Sequence, residues 1–453
     1  MGTALLRCLL MTNLADLLKE KLNNQIDEMG KCPTLFAVSN TAFTRTRKLD
    51  LPTVMKAIIS MQGGTIGKEL SKLGIDVTAS GFIQRRDQIL PDAFEFLFHE
   101  FSKGLPARRT VKGYRVYAVD GSDVLSPPNP DSELYVKPAP ATKNGAIPKT
   151  WNMSHINAMY DVLNKLYVDA ILPYEFDERE AAETMIKRYD GAPAILTADR
   201  GYPSYNLMET VNRNPLMEYL IRTPNSNTFY FLKDLPMEEL DVDREADITT
   251  VQSEYVPGKN SLLAGLPKYV EKKKRVGWKY GRRGHINVRV VRFRINDDPD
   301  PKKAYETILT SLDRKKFPLK TIKYLYHLRW GIETSFRVLK YNVGVLNFHS
   351  KKDNAVCQSM WAALTMYNFS MAIAGNVAVE QKDDKKHKYA VSISMAVFEC
   401  LNFFSEILVH APPDGEELMR RIASNTEPVR PGRKDERKMQ SKGAVIFWYR
   451  IAA

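Results

Sequence analysis

The chain has 453 residues, with 66 Lys and Arg against 53 Asp and Glu, a formal net charge of +13 and a pI near 9.3. At 44% hydrophobic and 10% aromatic residues it has a globular composition and length for two or three domains, which excludes wholesale disorder. Four scattered cysteines (Cys8, Cys32, Cys357, Cys400) without a C-x-x-C pair exclude a disulfide framework or a cysteine zinc site and suit a reducing cytoplasm, while the cation excess favours a polyanion, most simply nucleic acid.

The start lacks the layout of a secretory signal, because Arg7 interrupts a short apolar run. Leu14, Leu17, Leu18, Leu22 and Ile26 then repeat at helical spacing, with Gly30 as a stop. A second helix is predicted after Pro52, ending at Gly63-Gly64. Thr65 to Leu73, a turn at Gly74, and Thr78 to Leu90 have helix-turn-helix proportions, with Arg85 and Arg86 on the second helix. Residues 1–110 are therefore expected to form a helical N-terminal DNA-binding domain. A helical bundle with a solvated charged face is the alternative.

The character changes at Tyr114–Asp120, a predicted strand that ends in an acid. The Pro- and Ala-rich stretch Leu125–Pro148 reads as a loop, and Asp123, the alternative to Asp120, lies past Gly121-Ser122 and is expected in the loop. His155–Val162 and Leu166–Leu172 read as strands joined at Asn164-Lys165. Asp177-Glu-Arg-Glu180 caps a helix running to about Tyr189, and Ala194–Ala198 is a short strand followed by Asp199. Three strands, a helix and a fourth strand is the order of a ribonuclease-H-like core, so the expected fold class is α/β, with residues 111–223 as the first part of that core. His155 and His285 read as isolated structural residues, and Asp169 as core support or solvent-facing.

Residues 224–304 are expected to be a β-rich insertion. Between Lys268 and Arg294, eleven residues are Lys or Arg and one, Glu271, is acidic. They include Lys273, Lys274, Arg275, Arg282 and Arg283, interleaved with Trp278, Tyr280 and Phe293. Cations with aromatics suit a nucleic-acid surface, and a solvated sheet face is the alternative. Residues 305–410 would complete the core. The uncharged run Asn354–Val379 is long enough to span a bilayer but carries several Asn, Gln and Ser, so a buried helix is expected. Residues 411–453 form a basic tail.

The most informative segment runs from Tyr326 to Lys340. On one helix at about 100° per residue, Tyr326, Arg329, Glu333 and Lys340 share a stripe about 60° wide, with Arg337 beside it. Leu325, Leu328, Ile332, Phe336 and Leu339 fill the neighbouring sector. The helix thus presents one carboxylate among cations. Metal-assisted phosphodiester cleavage needs carboxylates from separate elements to hold a pair of Mg²⁺ ions. Asp120, Asp199 and Glu333 supply three, and Arg329, Lys340 and Tyr326 would hold phosphates.

These residues resemble a DDE transposase of a bacterial insertion sequence, of family four. Val119-Asp120-Gly121-Ser122 is similar to the first-acid block and Thr197-Ala198-Asp199-Arg200-Gly201-Tyr202 to the second. Tyr326, Arg329, Glu333 and Lys340 meet the Y-(2)-R-(3)-E-(6)-K signature in full. The resemblance covers roughly residues 35 to 450. It implies a ribonuclease-H-like core with Asp120, Asp199 and Glu333 as catalytic metal ligands for Mg²⁺, which Mn²⁺ can replace. It implies cleavage of double-stranded DNA at inverted-repeat ends, transfer of the freed 3′-hydroxyls to a target, and action as a homodimer, in the bacterial cytoplasm at the nucleoid. Trp278 and Tyr305 are candidates for an aromatic that stacks on a flipped base. Two other readings remain: a non-catalytic DNA-binding protein of transposase descent, and a metal-independent glycosidase with paired carboxylates. The cations around Glu333 argue against the glycosidase, because they favour its ionised form.

Overall fold

The computed structural model describes residues 14–45, 47–136, 151–172, 177–225, 229–249, 277–381, 386–405 and 414–430. Five helices lead: α1 Leu14–Lys31, α2 Leu51–Ser60, α3 Ile66–Lys72, α4 Ala79–Arg86 and α5 Pro91–Ser102. Their starts follow ordinary capping chemistry. Asp50 accepts from the Thr53 amide at 2.8 Å, and Thr78 from the Gly81 amide at 3.1 Å.

A nine-stranded mixed sheet follows, in the order β2-β3-β1-β5-β6-β9-β8-β7 with β4 also on β3. Its strands are β1 Arg115–Ser126, β2 Tyr135–Val136, β3 Trp151–Asp161, β4 Leu166–Ile171, β5 Ala194–Ala198, β6 Met217–Thr223, β7 Leu240–Thr249, β8 Arg283–Arg294 and β9 Tyr305–Thr310. β1, β3 and β4 form an antiparallel meander, with Lys165 taking a positive φ in the tight turn. β5 and β6 run parallel to β1. The crossovers use α6 Glu178–Lys187 and α7 Tyr205–Asn212.

Strand alternation sorts the side chains onto two faces. Tyr117, Val119, Leu196, Tyr219, Ile221, Val290 and Leu309 pack with α6 and α7. Val116, Ile195, Leu220, Val291 and Ile308 meet α8 Leu319–Leu328 on the other face. On that same face Ala118, Ala158 and Tyr160 join a core shared by α1 to α5, α9 Gly331–Val338, α10 Asp353–Ala374, α11 Ile393–Ser405 and α12 Gly415–Ser424. The N-terminal helices therefore pack as one body with α10. Asn368 shows how α10 tolerates polar residues, since its amide bonds both the N–H and the C=O of Tyr167 at 2.8 Å. No helix among the described residues is long and apolar enough to cross a membrane.

Two expectations need correction. β1 does not end at Asp120 but runs on to Ser126, so Asp123 lies in a strand opposite His155. Within the segment expected to be a β-rich insertion, β7 and β8 extend the main sheet through β9. The Tyr326–Lys340 helix is not continuous. At Arg329 and Trp330 the amides bond three residues back, to Tyr326 and His327, which kinks the chain between α8 and α9. A π-helical turn, Leu339–Val343, then ends it at Gly344, whose φ is positive.

Candidate active site

The parallel pairing of β1 with β5 sets Ala118 opposite Thr197. Two residues further in that register, Asp120 comes opposite Asp199, on the face that carries α8 and α9, with neighbouring strands about 4.8 Å apart. Each Asp is tied locally: Asp120 Oδ1 accepts from the Gly121 amide at 2.9 Å, and Asp199 Oδ1 from the Gly201 amide at 2.7 Å. Burial, reinforced by the charges of Asp199 and Glu178, pushes the Asp120 carboxyl up to about 6 against the opposing pull of the Gly121 amide and Arg329.

α9 brings the third acid. Ile332, Ser335 and Phe336 are its buried side. Ser335 Oγ lies 2.9 Å from the Tyr167 hydroxyl, and the Phe336 and Tyr167 rings are 6.1 Å apart. These contacts fix the helix over β4 and turn Glu333 toward Asp120. Arg329 stands between the two acids, with Nη2 donating to Glu333 Oε1 at 3.1 Å and Nη1 lying 3.9 Å from Asp120 Oδ2. The guanidinium is buried, and its Nε and Nη1 have no hydrogen-bond partner among the described residues. Lys340 reaches the site from the π-helical turn and donates to Ser122 Oγ at 2.8 Å. Burial lowers its pKa, and Asp123 partly offsets this. Tyr326 is the member of the signature set that turns away. It is buried with Val116, Ile195 and Leu220, and only its ring meets the Arg329 guanidinium, at 5.8 Å.

Three further residues lie at the site: His155, expected to be an isolated structural residue, Glu178, and Tyr202, read only as part of the second-acid block. His155 is not isolated: Nδ1 lies 2.8 Å from Asp123 Oδ1 and Nε2 lies 3.4 Å from Glu178 Oε1. Burial alone would lower its pKa, but the bonds to Glu178 and Asp123 outweigh this and raise it. Glu178 opens α6, where it reads from sequence only as part of a cap. Tyr202 is buried beneath the acids, and burial together with Glu178, Asp120 and Asp199 drives its hydroxyl well upward. The available signal was Gly121. A glycine inside a strand marks a close approach, and a Cβ there would collide with His155 Nε2 and Glu178 Oε1.

The other predicted contacts divide by burial. Arg337, Arg282 and Arg283 are exposed. Lys273, Lys274 and Arg275 lie outside the described residues, as does the tail after Arg430. Arg86 is a correction: it is buried and donates to Gln358 Oε1 at 2.9 Å, Ala355 O and Ser359 Oγ, so it ties α4 to α10 from inside the core and does not face outward to a phosphate. Arg85 likewise grips Leu49 O and Gln88 and stacks over Phe43. Trp278 and Phe293 are core residues, not stacking surfaces, and Arg289 and Arg292 are buried in internal bonds. His285 pairs with Asp247 at 2.9 Å, and Asp169 is held by Arg188 in the core. Tyr305 is half-buried at the start of β9.

Residues 111–369, more than half of the chain, match the family described as Transposase DDE domain. The chain belongs to that family. Among solved structures it is similar to a piggyBac transposase, seen by cryo-electron microscopy as a synaptic complex with hairpin DNA. That match has 11% identity and a TM-score of 0.42 over 94% of this chain and 87% of the other, too loose a likeness to establish a common fold. No curated protein matches the chain. DDE transposase domains generally use divalent metal ions. Asp120 and Asp199 fit such an ion: they are hard oxygen donors on one face, and the Asp120 carboxyl is raised first by burial and then by the charges of Asp199 and Glu178, both of which a bound cation would offset. Glu333 is engaged by Arg329, and among the described residues no three acidic, His or Cys side chains are grouped closely enough to hold one ion.

Proposed function

We propose that this member of the transposase DDE domain family is an insertion-sequence transposase, of the family-four type with the Tyr-Arg-Glu-Lys signature. It cuts double-stranded DNA at inverted-repeat ends and transfers the strands to target DNA. The observation that carries this reading is Asp120 set opposite Asp199 on one face, with Arg329 linking Asp120 to Glu333. A ribonuclease-H-like core is supported by the order β4-β3-β1-β5-β6, an antiparallel meander followed by two strands parallel to β1.

Asp120, Asp199 and Glu333 hold the metal. Bound there, Mg²⁺ or Mn²⁺ would activate the attacking oxygen and stabilise the leaving one. Arg329 offers two buried nitrogens, Nε and Nη1, that have no hydrogen-bond partner among the described residues, suited to a phosphate of the strand being cut. Lys340 adds a second cation and holds Ser122 in line beside Asp120. Cleaving both element ends together requires a synaptic complex, for which a homodimer is the simplest assembly. The site of action is the bacterial cytoplasm, at the nucleoid.

Glu333→Gln tests this reading: strand cleavage is lost while binding to the ends persists, and full cleavage by that variant removes Glu333 from the triad. The lack of a three-acid group among the described residues favours a second reading, a DNA-binding protein of transposase descent that does not cut. Wild-type protein that binds its ends and never nicks them with Mg²⁺ or Mn²⁺ decides for the second.

A further inference from the structure

Surface cations of this chain commonly sit beside an acid. Lys31 meets Glu28, Lys48 meets Asp76, Lys56 meets Asp27, Lys103 meets Glu100, and Lys352 meets Asp87. Lys315, Lys316 and the outer face of α8 break this habit, although their neighbour Arg314 pairs with Asp241 and Asp243 and the Asp313 carboxylate is taken by the Lys316 amide. Residues 314–329 contain no Asp or Glu. Lys315, Lys316, Lys320 and Lys323 are exposed, and among the described residues none of them pairs with a carboxylate.

These side chains are also held in place. α8 buries Ile322, Leu325 and Tyr326, which turns Lys320 and Lys323 outward one turn apart. Lys316 Nζ lies 4.4 Å above the Tyr114 ring and Lys323 Nζ 4.9 Å above the Phe293 ring, so their stems lie on apolar surface while the ammonium groups face water. Lys112 donates to the Lys316 carbonyl, which sets a further ammonium beside this group. Like charges gathered without an acid repel one another, and a polyanion relieves that repulsion.

The ridge has a direction. It begins beside Tyr114, at the start of β1, where the Phe317 and Tyr114 rings are 5.6 Å apart. It ends at Arg329, next to Asp120. α8 has ten residues, about 15 Å of helix, which matches about four phosphates of one strand at about 3.4 Å each.

We propose that the outer face of α8, continued by Lys315, Lys316 and Lys112, is a phosphodiester track that grips duplex DNA leading away from the cleaved bond. The proposal rests on the transposase reading, because the track ends at that site.

The test uses the full chain carrying K315A, K316A, K320A and K323A together. Binding to a random-sequence duplex of about 30 base pairs, several times the length of the ridge, is measured against salt concentration. The slope of log K against log salt should fall by about 0.9 per contact removed, so by about 2 to 4 here. K48A and K103A, which remove acid-paired cations elsewhere, serve as controls with an unchanged slope. A K320A/K323A pair gives a smaller loss in the same direction and provides the result if the fourfold variant does not fold. Unchanged slope and affinity in a folded variant overturn the track while leaving the transposase reading intact. Failure of the wild-type protein to bind the duplex at all overturns both.

Discussion

Asp120 carries a charge that its surroundings oppose. Its carboxyl titrates at about 6 in the fold against 3.8 for a free aspartate. Below about pH 4 both folded and unfolded chains hold the proton and the site costs nothing. Above about pH 6 both are ionised and the folded state bears the full penalty, so this group's cost grows as pH rises between the two. Asp120→Asn should therefore stabilise the metal-free protein by about 2 kcal/mol at pH 7.5 and by almost nothing at pH 4, read from urea unfolding at both pH values. Equal effects at the two pH values would show that the carboxyl is not strained. Gly121→Ala should leave the fold intact yet reduce cleavage about 100-fold, because the added methyl displaces His155 and Glu178 and shifts Asp120 with them. Wild-type cleavage rates in that variant would mean that the His155–Glu178 contact does not position the site. Asp120 and Asp199 were legible in the sequence because short apolar strands lead into both. Glu178 and His155 were not, because their meeting depends on α6 crossing back over the meander, which no local pattern encodes.

At the scale of elements, strands and helices were read well where local chemistry decides. Asp177 accepts from the Arg179 and Glu180 amides as a cap should, and the turn at Asn164-Lys165 sits where predicted. The kinked segment was read less well. A straight helix puts Tyr326 in line with Glu333, but α8 packs on the sheet and α9 on the Tyr160–Tyr167 cluster, and the kink at Arg329 serves both. Arg329 and Glu333 keep their i,i+4 contact because both lie within one turn of that junction. α4 was misread for a related reason: helical spacing shows which residues share a face but not what covers it. Arg86→Ala should lower stability by about 2 kcal/mol by leaving Gln358 and the Ala355 carbonyl short of donors, with DNA affinity per folded molecule unchanged. Weakened DNA binding at full stability would instead return Arg86 to the DNA surface.

At the scale of the whole molecule, the sheet runs from β2 to β7 without a break, and one apolar core joins α1 to α5 with α9 to α12. The β7–β8 hairpin should thus melt together with β1, β5 and β6 in a single calorimetric transition. A separate, earlier transition for that hairpin would show it to be an independently folding unit. The net charge of +13 divides in the same way. Arg86, Arg289 and Arg292 are internal struts, whereas Lys320 and Lys323 of α8 face outward and, among the described residues, pair with no acid. Charge counted along the sequence mixes these two groups, because burial is set by packing across distant segments.

The central claim is that Asp120, Asp199 and Glu333 together support metal-dependent DNA cleavage. Its most direct measurement is nicking of a supercoiled plasmid carrying the element ends, by the wild-type protein and by the Asp120→Asn, Asp199→Asn and Glu333→Gln variants, each with Mg²⁺ and with EDTA. The account predicts nicking by the wild type with Mg²⁺ alone, and none by any variant that still binds the ends. Nicking that survives EDTA, or that persists in any one of the three variants, would contradict it.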